Sequence, residues 1–489
     1  MIIAGIGVRQ YPGALRDKNR RRVRLVFENK PMGRRGVATS FLTSSQFRKV
    51  GMSDKHSTVV LGGGLAGLSA LWHLQRLGHA DSHLFEKESR VGGLTRSEQL
   101  NGFTFDYTGH LLHFKNETVK QLVSQLLDGN LHSVTRNSWI FSKGVYTRYP
   151  FQTNLYGLPP EIIKECILGF VQAQGNNASA SNAGAEPLAF AAWIDSTLGP
   201  GIARHFMTPY NEKLWTVPLD ELTCEWMGRF VPSTSLEQIL DGALTDQSST
   251  AGYNATFSYP LRGGIEALPQ AFAASLTNIH TGCELAQLDL TNRLLHFKNG
   301  QRACFHQLIT TMPLPALLRA ISTAPEPVHE AAQKLRFTSV CNVNLGVDRN
   351  ISDKHWIYFP EPEYCFYRIG FSHNFSPNQA PAGCSAIYAE VGYSAWKPLN
   401  RSGLLERIKA DLVKAGILKP SDRVLAELCL DIPCAYVIYD RHHRQCSDLV
   451  RIFLRENGIF TIGRYGAWEY SGMEDAIWQG RQAAEEIMA

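Results

Sequence analysis

Gly62, Gly64 and Gly67 stand at the spacing G-x-G-x-x-G, and Glu86 closes the next short apolar run. Residues of these types in this order can bind a dinucleotide. The first glycine permits a tight turn, the second lets a pyrophosphate approach the backbone, and the third lets a helix pack closely on a strand. A carboxylate at the position of Glu86 accepts hydrogen bonds from a ribose diol. The elements that must hold these residues are also legible. Thr58 to Leu61 is a β-branched and apolar run expected to form a buried parallel strand, and a helix from about Leu65 to Leu77 follows it. Its N-terminal N–H groups would face the pyrophosphate. A second strand, His83 to Phe85, then delivers Glu86. A Gly-rich turn in some other α/β fold is the alternative reading.

The run after Glu86 selects among dinucleotides. Lys87, Arg90, Gly92, Gly93 and Thr95 follow at once, and a second glycine pair suits a cofactor lying extended along the chain, with its pyrophosphate touched twice. This E-x-x-x-R-x-G-G-x-x-x-S run resembles that of FAD proteins related to amine oxidases, protoporphyrinogen oxidases and UDP-galactopyranose mutases. The resemblance implies FAD. It also implies a Rossmann-like α/β domain of the GR2 type beside an α+β substrate domain with a helical insertion.

Two distant segments fit the same pattern. Gly458 to Ile487 reads as a strand, a turn at Gly463-Arg464 and a final helix from near Met473, and GRYGAWEY resembles the C-terminal FAD motif of that superfamily. The N-terminus of such a helix could stabilise negative charge on the reduced flavin. In the middle, Leu285 is expected beside the adenine, and Leu308 to Thr311 should rejoin the first sheet after a β-rich insert. The motifs divide the chain into a basic extension (1–51), a discontinuous FAD-binding region (52–115, 265–330 and 440–489) and a substrate region (116–264 and 331–439).

Composition bounds the rest. With 44% hydrophobic and 19% charged residues in 489, the chain is large enough for two or three lobes around one cofactor. No long apolar run suggests a membrane span. The ten cysteines include no C-x-x-C and no metal-ligand spacing, so reduced thiols, a cytoplasmic location and no metal are expected. Residues 1–51 carry 12 lysines and arginines against two acids, whereas the whole chain is only +5. The basic excess is thus confined to this extension, expected to be disordered or to precede a start at Met52, with a transit peptide as the alternative. Nucleic-acid binding is disfavoured because no folded basic face accompanies it.

The segments 147–161, 208–230, 254–272 and 356–381 are dense in aromatics, asparagines and arginines, a mixture suited to a sugar or nucleotide pocket. With DYTGHLLHF at 106–114, they resemble UDP-galactopyranose mutases of the eukaryotic type from about residue 57 onward. In that family the reduced flavin attacks the sugar's anomeric carbon through N5, UDP departs, and the sugar ring recloses with no net redox change. An external reductant for the flavin is then required. By motif, Gln152, Asn154, Asn211, Trp215 and Asn254 would line the pocket and His110 would lie over the flavin. Tyr436, Tyr439 and Tyr470 would reach phosphate or sugar. Arg229, Arg349 and Arg368 are the candidate cations for the departing diphosphate.

The chain departs from that pattern in places. One family arginine falls at Phe230, with Arg229 one place early, and the other falls near Asp348, with Arg349 adjacent. Gly-Gly-His becomes Thr108-Gly109-His110. A one-residue shift on a strand turns a side chain to the opposite face. Three function classes stay open: a mutase acting on a nucleotide sugar, an oxidase or dehydrogenase of the amine or protoporphyrinogen oxidase kind, and a non-catalytic flavin scaffold.

Overall fold

A computed structural model describes residues 57–177, 188–228, 231, 234–247 and 255–489. The extension 1–51 and the sites expected at Arg229 and Asn254 lie outside the described residues. Strand β1 (Thr58–Leu61) is buried throughout, which is why its apolar run is unbroken rather than alternating. It leads through the glycines into helix α1 (Leu65–Arg76) and then strand β2 (Ser82–Phe85). Both strands belong to a five-stranded sheet that runs Ile459–Thr461, Gln307–Thr310, β1, β2, Ile279–His280. Every pairing in it is parallel. Between Ile279–His280 and Gln307–Thr310 stands a three-stranded antiparallel meander over 285–304. The sequence expectation of an α/β fold with a rejoining strand near 308 therefore holds.

The second large sheet has seven strands. Its core is β3 (Phe337–Val347), β4 (Arg368–Phe371), β5 (Ser385–Tyr393) and β6 (Val424–Val437), in the order β6-β3-β5-β4, followed by Trp356–Tyr358, Ser138–Ser142 and Val145–Arg148. Helix Pro160–Asn177 packs on Phe190–Ile202 and on Leu236–Leu244, and α2 (Thr208–Trp215) packs on β5. The last helix, α3 (Met473–Met488), returns to the first sheet and packs along α1. There the Oγ of Ser69 donates to the carbonyl of Ile477 at 2.7 Å. No helix among the described residues is long and apolar enough to cross a membrane.

Asp106 fastens the two halves. Its carboxylate accepts from Ser97 Oγ (2.6 Å), Tyr259 Oη (2.5 Å) and the N–H of Ile265 (3.4 Å), and its carbonyl accepts from Asn342 on β3 (3.3 Å). Burial pushes this carboxyl up to about 6, against the pull of its three donors. A group whose folded value is raised stabilises the fold below its unfolded value near 3.8 and loses that contribution as pH rises through about 6. Asp106→Asn removes the titration. Its stability relative to the parent is expected to improve by roughly 1–3 kcal/mol between acidic and neutral pH. Denaturant melts of both proteins at pH 4 and pH 7 measure this; a pH-independent gap would contradict it.

Candidate functional site

The glycine loop has the shape the spacing predicts. Gly62 adopts φ +102°, and its N–H donates to the Phe85 carbonyl at 2.9 Å. A Cβ at Gly67 would lie 2.0 Å from the Gly62 carbonyl oxygen, so the turn and α1 meet backbone to backbone. Gly64 opens onto a slot. A Cβ built there finds nothing nearer than the Gly93 Cα at 3.9 Å, and the Gly92 N–H ties this second loop to the Gly63 carbonyl at 2.7 Å. At its N-terminus α1 has neither a capping side chain nor an acid in its first turn. Paired glycine loops that meet at Gly64 and Gly93, facing uncapped helical N–H groups, fit a pyrophosphate.

Around this slot the expected cofactor residues divide into contacts and braces. Glu86 is buried, with one oxygen accepting from the Gly63 N–H (2.6 Å) and the other from the Glu88 N–H (2.8 Å). Each oxygen keeps a further lone pair for a ribose hydroxyl. Cys283 donates its N–H to the Glu86 carbonyl at 2.8 Å, which sets Leu285 at the head of the meander beside the acid. Thr95 caps its own turn onto the Gly92 carbonyl at 2.7 Å. Lys87 is exposed beside Glu88. Arg90 pairs with Glu98 and Glu266, bracing the 97–106 hairpin.

From the other end of the chain, Gly463 adopts φ +73° and donates its N–H to Gln479 at 2.7 Å. Arg464 is spent on the backbone: Nε and Nη2 donate to the Ser471 carbonyl (2.9 and 2.5 Å) and Nη1 to that of Ala435 (3.3 Å). Met473 opens α3, but two acids stand in its first turn. Asp475 accepts from the Gly472 N–H (2.7 Å), and Glu474 accepts from the N–H groups of Lys115 and Asn116 (2.7 Å each). The positive end of this helix is thus partly met from within the chain.

A second cluster gathers around Arg368, the first residue of β4. Glu390 of β5 opposes it in register and is fully buried. The pair is a fork: Nη2 to Oε1 at 2.8 Å, with Nε on Oε2. Burial works against the guanidinium charge, but Glu390 and the neighbouring phenols outweigh it and keep Arg368 ionised. Tyr149 stacks on Tyr358 (centroids 4.8 Å apart), and Tyr210 meets Tyr358 and Tyr367 edge-on (5.4 and 6.1 Å). Opposite them, Tyr436 and Tyr470 lie 5.8 Å apart, with Trp215 at 5.9 and 6.1 Å. Burial raises the phenols of Tyr149, Tyr358, Tyr388 and Tyr470, so each remains a proton donor at neutral pH. Tyr388 fits because Gly109 and Gly370 make room; a Cβ at Gly109 would lie 2.4 Å from its hydroxyl oxygen and one at Gly370 2.0 Å from its ring.

The structure brings His110, Trp215, Arg368, Tyr436, Arg464 and Tyr470 within mutual reach. Tyr439 stands behind them, accepting the Tyr470 N–H at 2.7 Å. The Asn211 amide is turned onto its own helix, donating to Met207 at 2.7 Å. Asn154 donates to the Pro150 carbonyl at 2.9 Å, and Gln152 is buried in the same turn, so this pair shapes the wall. Lys213 donates to the carbonyls of Phe359 and Glu361 (2.7 and 2.9 Å), fixing α2 to the turn between Tyr358 and Tyr367.

Arg349 requires a correction. Asp422 holds it through Nε (2.7 Å) and Nη2 (2.8 Å), and Ile417 supplies a third acceptor at 3.0 Å. It follows β3 seven residues beyond Asn342, the residue facing Glu390, which puts it roughly 20 Å along the strand from Arg368. Sequence reasoning missed Glu390, Tyr149, Tyr210, Tyr358, Tyr367 and Tyr388. Of these, Tyr388 and Glu390 had a signal: polar groups two residues apart within an apolar strand, hence on one face.

Comparison with known proteins agrees with this geometry. The family profile described as flavin containing amine oxidoreductase matches residues 65–488. Coproporphyrinogen III oxidase of Bacillus subtilis (strain 168) is 20% identical over 475 residues, spanning 89% of this chain and 99% of that protein. Among solved structures, reduced UDP-galactopyranose mutase is 28% identical with a TM-score of 0.82, over 88% of this chain and 95% of that one. Wild-type putrescine oxidase bound to putrescine is 16% identical with a TM-score of 0.62, over 88% and 98%, a likeness of fold alone.

Two outcomes follow from the cradle and the cavity. Gly64→Val fills the slot, so the variant is expected to purify folded but without flavin absorbance; retained flavin at parental stoichiometry would contradict the placement. Burial, Arg464 and Arg368 push His110 down to about 4, whereas an unfolded histidine titrates at 6.5. This residue therefore stays neutral at physiological pH, and its contribution to stability is lost as pH falls through that window. Its imidazole NMR shift is expected to stay at the neutral position from about pH 8 to pH 5; a midpoint near the ordinary value would overturn the assignment.

Proposed function

The chain belongs to the family of flavin-containing amine oxidoreductases, and on that premise we propose that this FAD-dependent enzyme isomerises the ring of a nucleotide sugar. Bound FAD, once reduced by an external donor, supplies a nucleophilic nitrogen for that chemistry. The residues that would hold it are the loop Gly62–Gly67, Glu86, the Gly92–Gly93 turn and the Gly463 turn. The observation that carries the reading is the Arg368–Glu390 fork within a ring of tyrosines, in a chain whose fold likeness to the mutase is 0.82 by TM-score.

The work of the protein side chains follows from their chemistry. A departing diphosphate concentrates negative charge, and a preorganised cation with hydroxyl donors lowers the cost of forming it. Glu390 orients Arg368 through Nε and Nη2, which turns Nη1 to the side away from the carboxylate; the Tyr358 hydroxyl also lies within hydrogen-bond reach of this guanidinium. Tyr149, Tyr388 and Tyr470 are protonated and can donate to phosphate or sugar oxygens. Trp215, fully buried, backs Tyr436 and Tyr470 and fixes their rings. Neutral His110 contributes hydrogen bonds and shape rather than positive charge.

The likeness to coproporphyrinogen III oxidase along almost the whole chain supports a second reading, net oxidation of a porphyrinogen with Arg368 facing a substrate carboxylate. The two readings separate under anaerobic conditions. Chemically reduced enzyme is expected to interconvert the pyranose and furanose forms of a UDP-hexose without oxygen uptake. Oxygen-dependent peroxide release with coproporphyrinogen III, and no turnover of any UDP-sugar, would decide for the oxidase. Arg368→Lys keeps the charge but loses the planar fork. It is expected to lower kcat/KM by roughly 100-fold, ~2.7 kcal/mol, with FAD content unchanged.

A further inference from the structure

A thiol pair on the seven-stranded sheet takes no part in this chemistry. Cys341 of β3 faces Asp431 of β6, and Cys429 of β6 faces Val343 of β3. The two cysteines are therefore diagonal neighbours on one face of an antiparallel pair. Their sulfurs lie 3.1 Å apart. Cys341, Val343, Leu345 and Val347 all contribute to the hydrophobic cluster under helix Leu404–Lys414. Asn342, between them, reaches the Asp106 carbonyl on the other face. The thiols thus occupy the face away from the Asp106 hairpin.

The pair is asymmetric in access and in charge. Cys341 is fully buried, whereas Cys429 is partly exposed. The hydrogen bond between the two thiols, with help from the nearby Arg401 guanidinium, holds Cys429 below the ordinary thiol range, although burial and Asp431 oppose it. The same hydrogen bond, together with burial, holds the Cys341 proton in place. Arg401 is itself fixed, donating to Asp431 at 2.8 Å and to the Tyr393 oxygen at 3.2 Å. A reachable, activated thiol beside a buried one that can attack it is the arrangement that converts an oxidised cysteine into a disulfide.

We propose that Cys341 and Cys429 form a peroxide-reactive dithiol site, in which Cys429 is oxidised first and Cys341 resolves it to an intrachain disulfide stapling β3 to β6. The oxidant is hydrogen peroxide. The Cys429 thiolate attacks one peroxide oxygen; the S–O bond forms, the O–O bond breaks, and hydroxide leaves and takes up a proton as water. Cys341 then gives up its proton and attacks the sulfenic sulfur, forming the S–S bond while the S–O bond breaks and a second water departs. Two thiols and one peroxide yield one disulfide and two waters. An approach of about 1 Å between the sulfurs completes the bond.

The experiment is peptide mapping of the purified holoenzyme after treatment with hydrogen peroxide and alkylation of the remaining thiols. A peptide pair joined through Cys341 and Cys429 is expected, lighter by about 2 Da than the two reduced peptides together. It should disappear on treatment with dithiothreitol. Cys341→Ser should instead accumulate sulfenic acid on Cys429, trapped by dimedone, and Cys429→Ser should leave Cys341 unreacted. The proposal is overturned if the parent enzyme yields over-oxidised Cys429 without the joined peptides. It is also overturned if Cys429 is still alkylated after the other accessible cysteines have been oxidised. The parent protein alone decides, whatever the variants do to folding.

Discussion

Helix α1 touches its neighbours at distances that leave no volume for a side chain, and both the glycine turn before it and the Gly463 turn and α3 far along the chain are organised by that contact. A Cβ at Gly67 would sit on the Gly62 carbonyl, one at Gly480 would lie 2.5 Å from the Ala66 carbonyl, and one at Gly463 would lie 2.9 Å from the Ala66 Cβ. The sheet, the glycine turn, α3 and the Gly463 turn are thereby fixed to one helix on three sides. Because the Gly463 turn continues into Arg464 and Tyr470, the same contact sets one wall of the cavity. The packing that forms the cofactor cradle and the packing that presents the substrate wall are physically continuous.

The opposite wall depends on a different balance. Glu390 is wholly removed from water and Arg368 largely so, a cost that two-point geometry and surrounding hydroxyl groups offset. Glu390 has no carboxylate neighbour in its strand, and its place in the core is tolerable because the guanidinium is across from it in register. Tyr149, Tyr210, Tyr358, Tyr367 and Tyr388 then supply dipoles without further charge. Behind them Lys213, pulled down to about 7 by burial, spends its N–H bonds on two carbonyls and so fixes the turn that carries Tyr358 and Tyr367.

What the sequence revealed and what it hid follow the range of the interactions. The βαβ unit was readable because its glycines, apolar strands and terminal acid act on neighbours within one motif. The rejoining strand near Leu308 was readable from its apolar run and from the pattern of the superfamily. Arg349 was misjudged because its partner, Asp422, lies 73 residues further on and nothing local announces it. Asn154 and Asn211 carry amides of the right kind, yet their own backbone turns take them up. Arg368 emerged as a candidate because it is an available cation within the aromatic-rich segment 356–381. Glu390, which makes its burial possible, reads as a single acid in an apolar strand.

The order of strands in the first sheet has a consequence for biosynthesis. β1 gains one neighbour from β2 soon after it leaves the ribosome, but its other edge is filled by Gln307–Thr310, and that strand's free edge in turn by Ile459–Thr461. Leu61 waits for Thr311, 250 positions later, before that side of the turn is closed by a hydrogen bond. At about 5–20 residues per second, translation leaves a buried-type apolar edge unpaired for roughly 12–50 seconds. During that interval the nascent chain presents a natural client surface for chaperones. The Gly463 turn and α3, which close on α1, are the last of these elements to leave the ribosome.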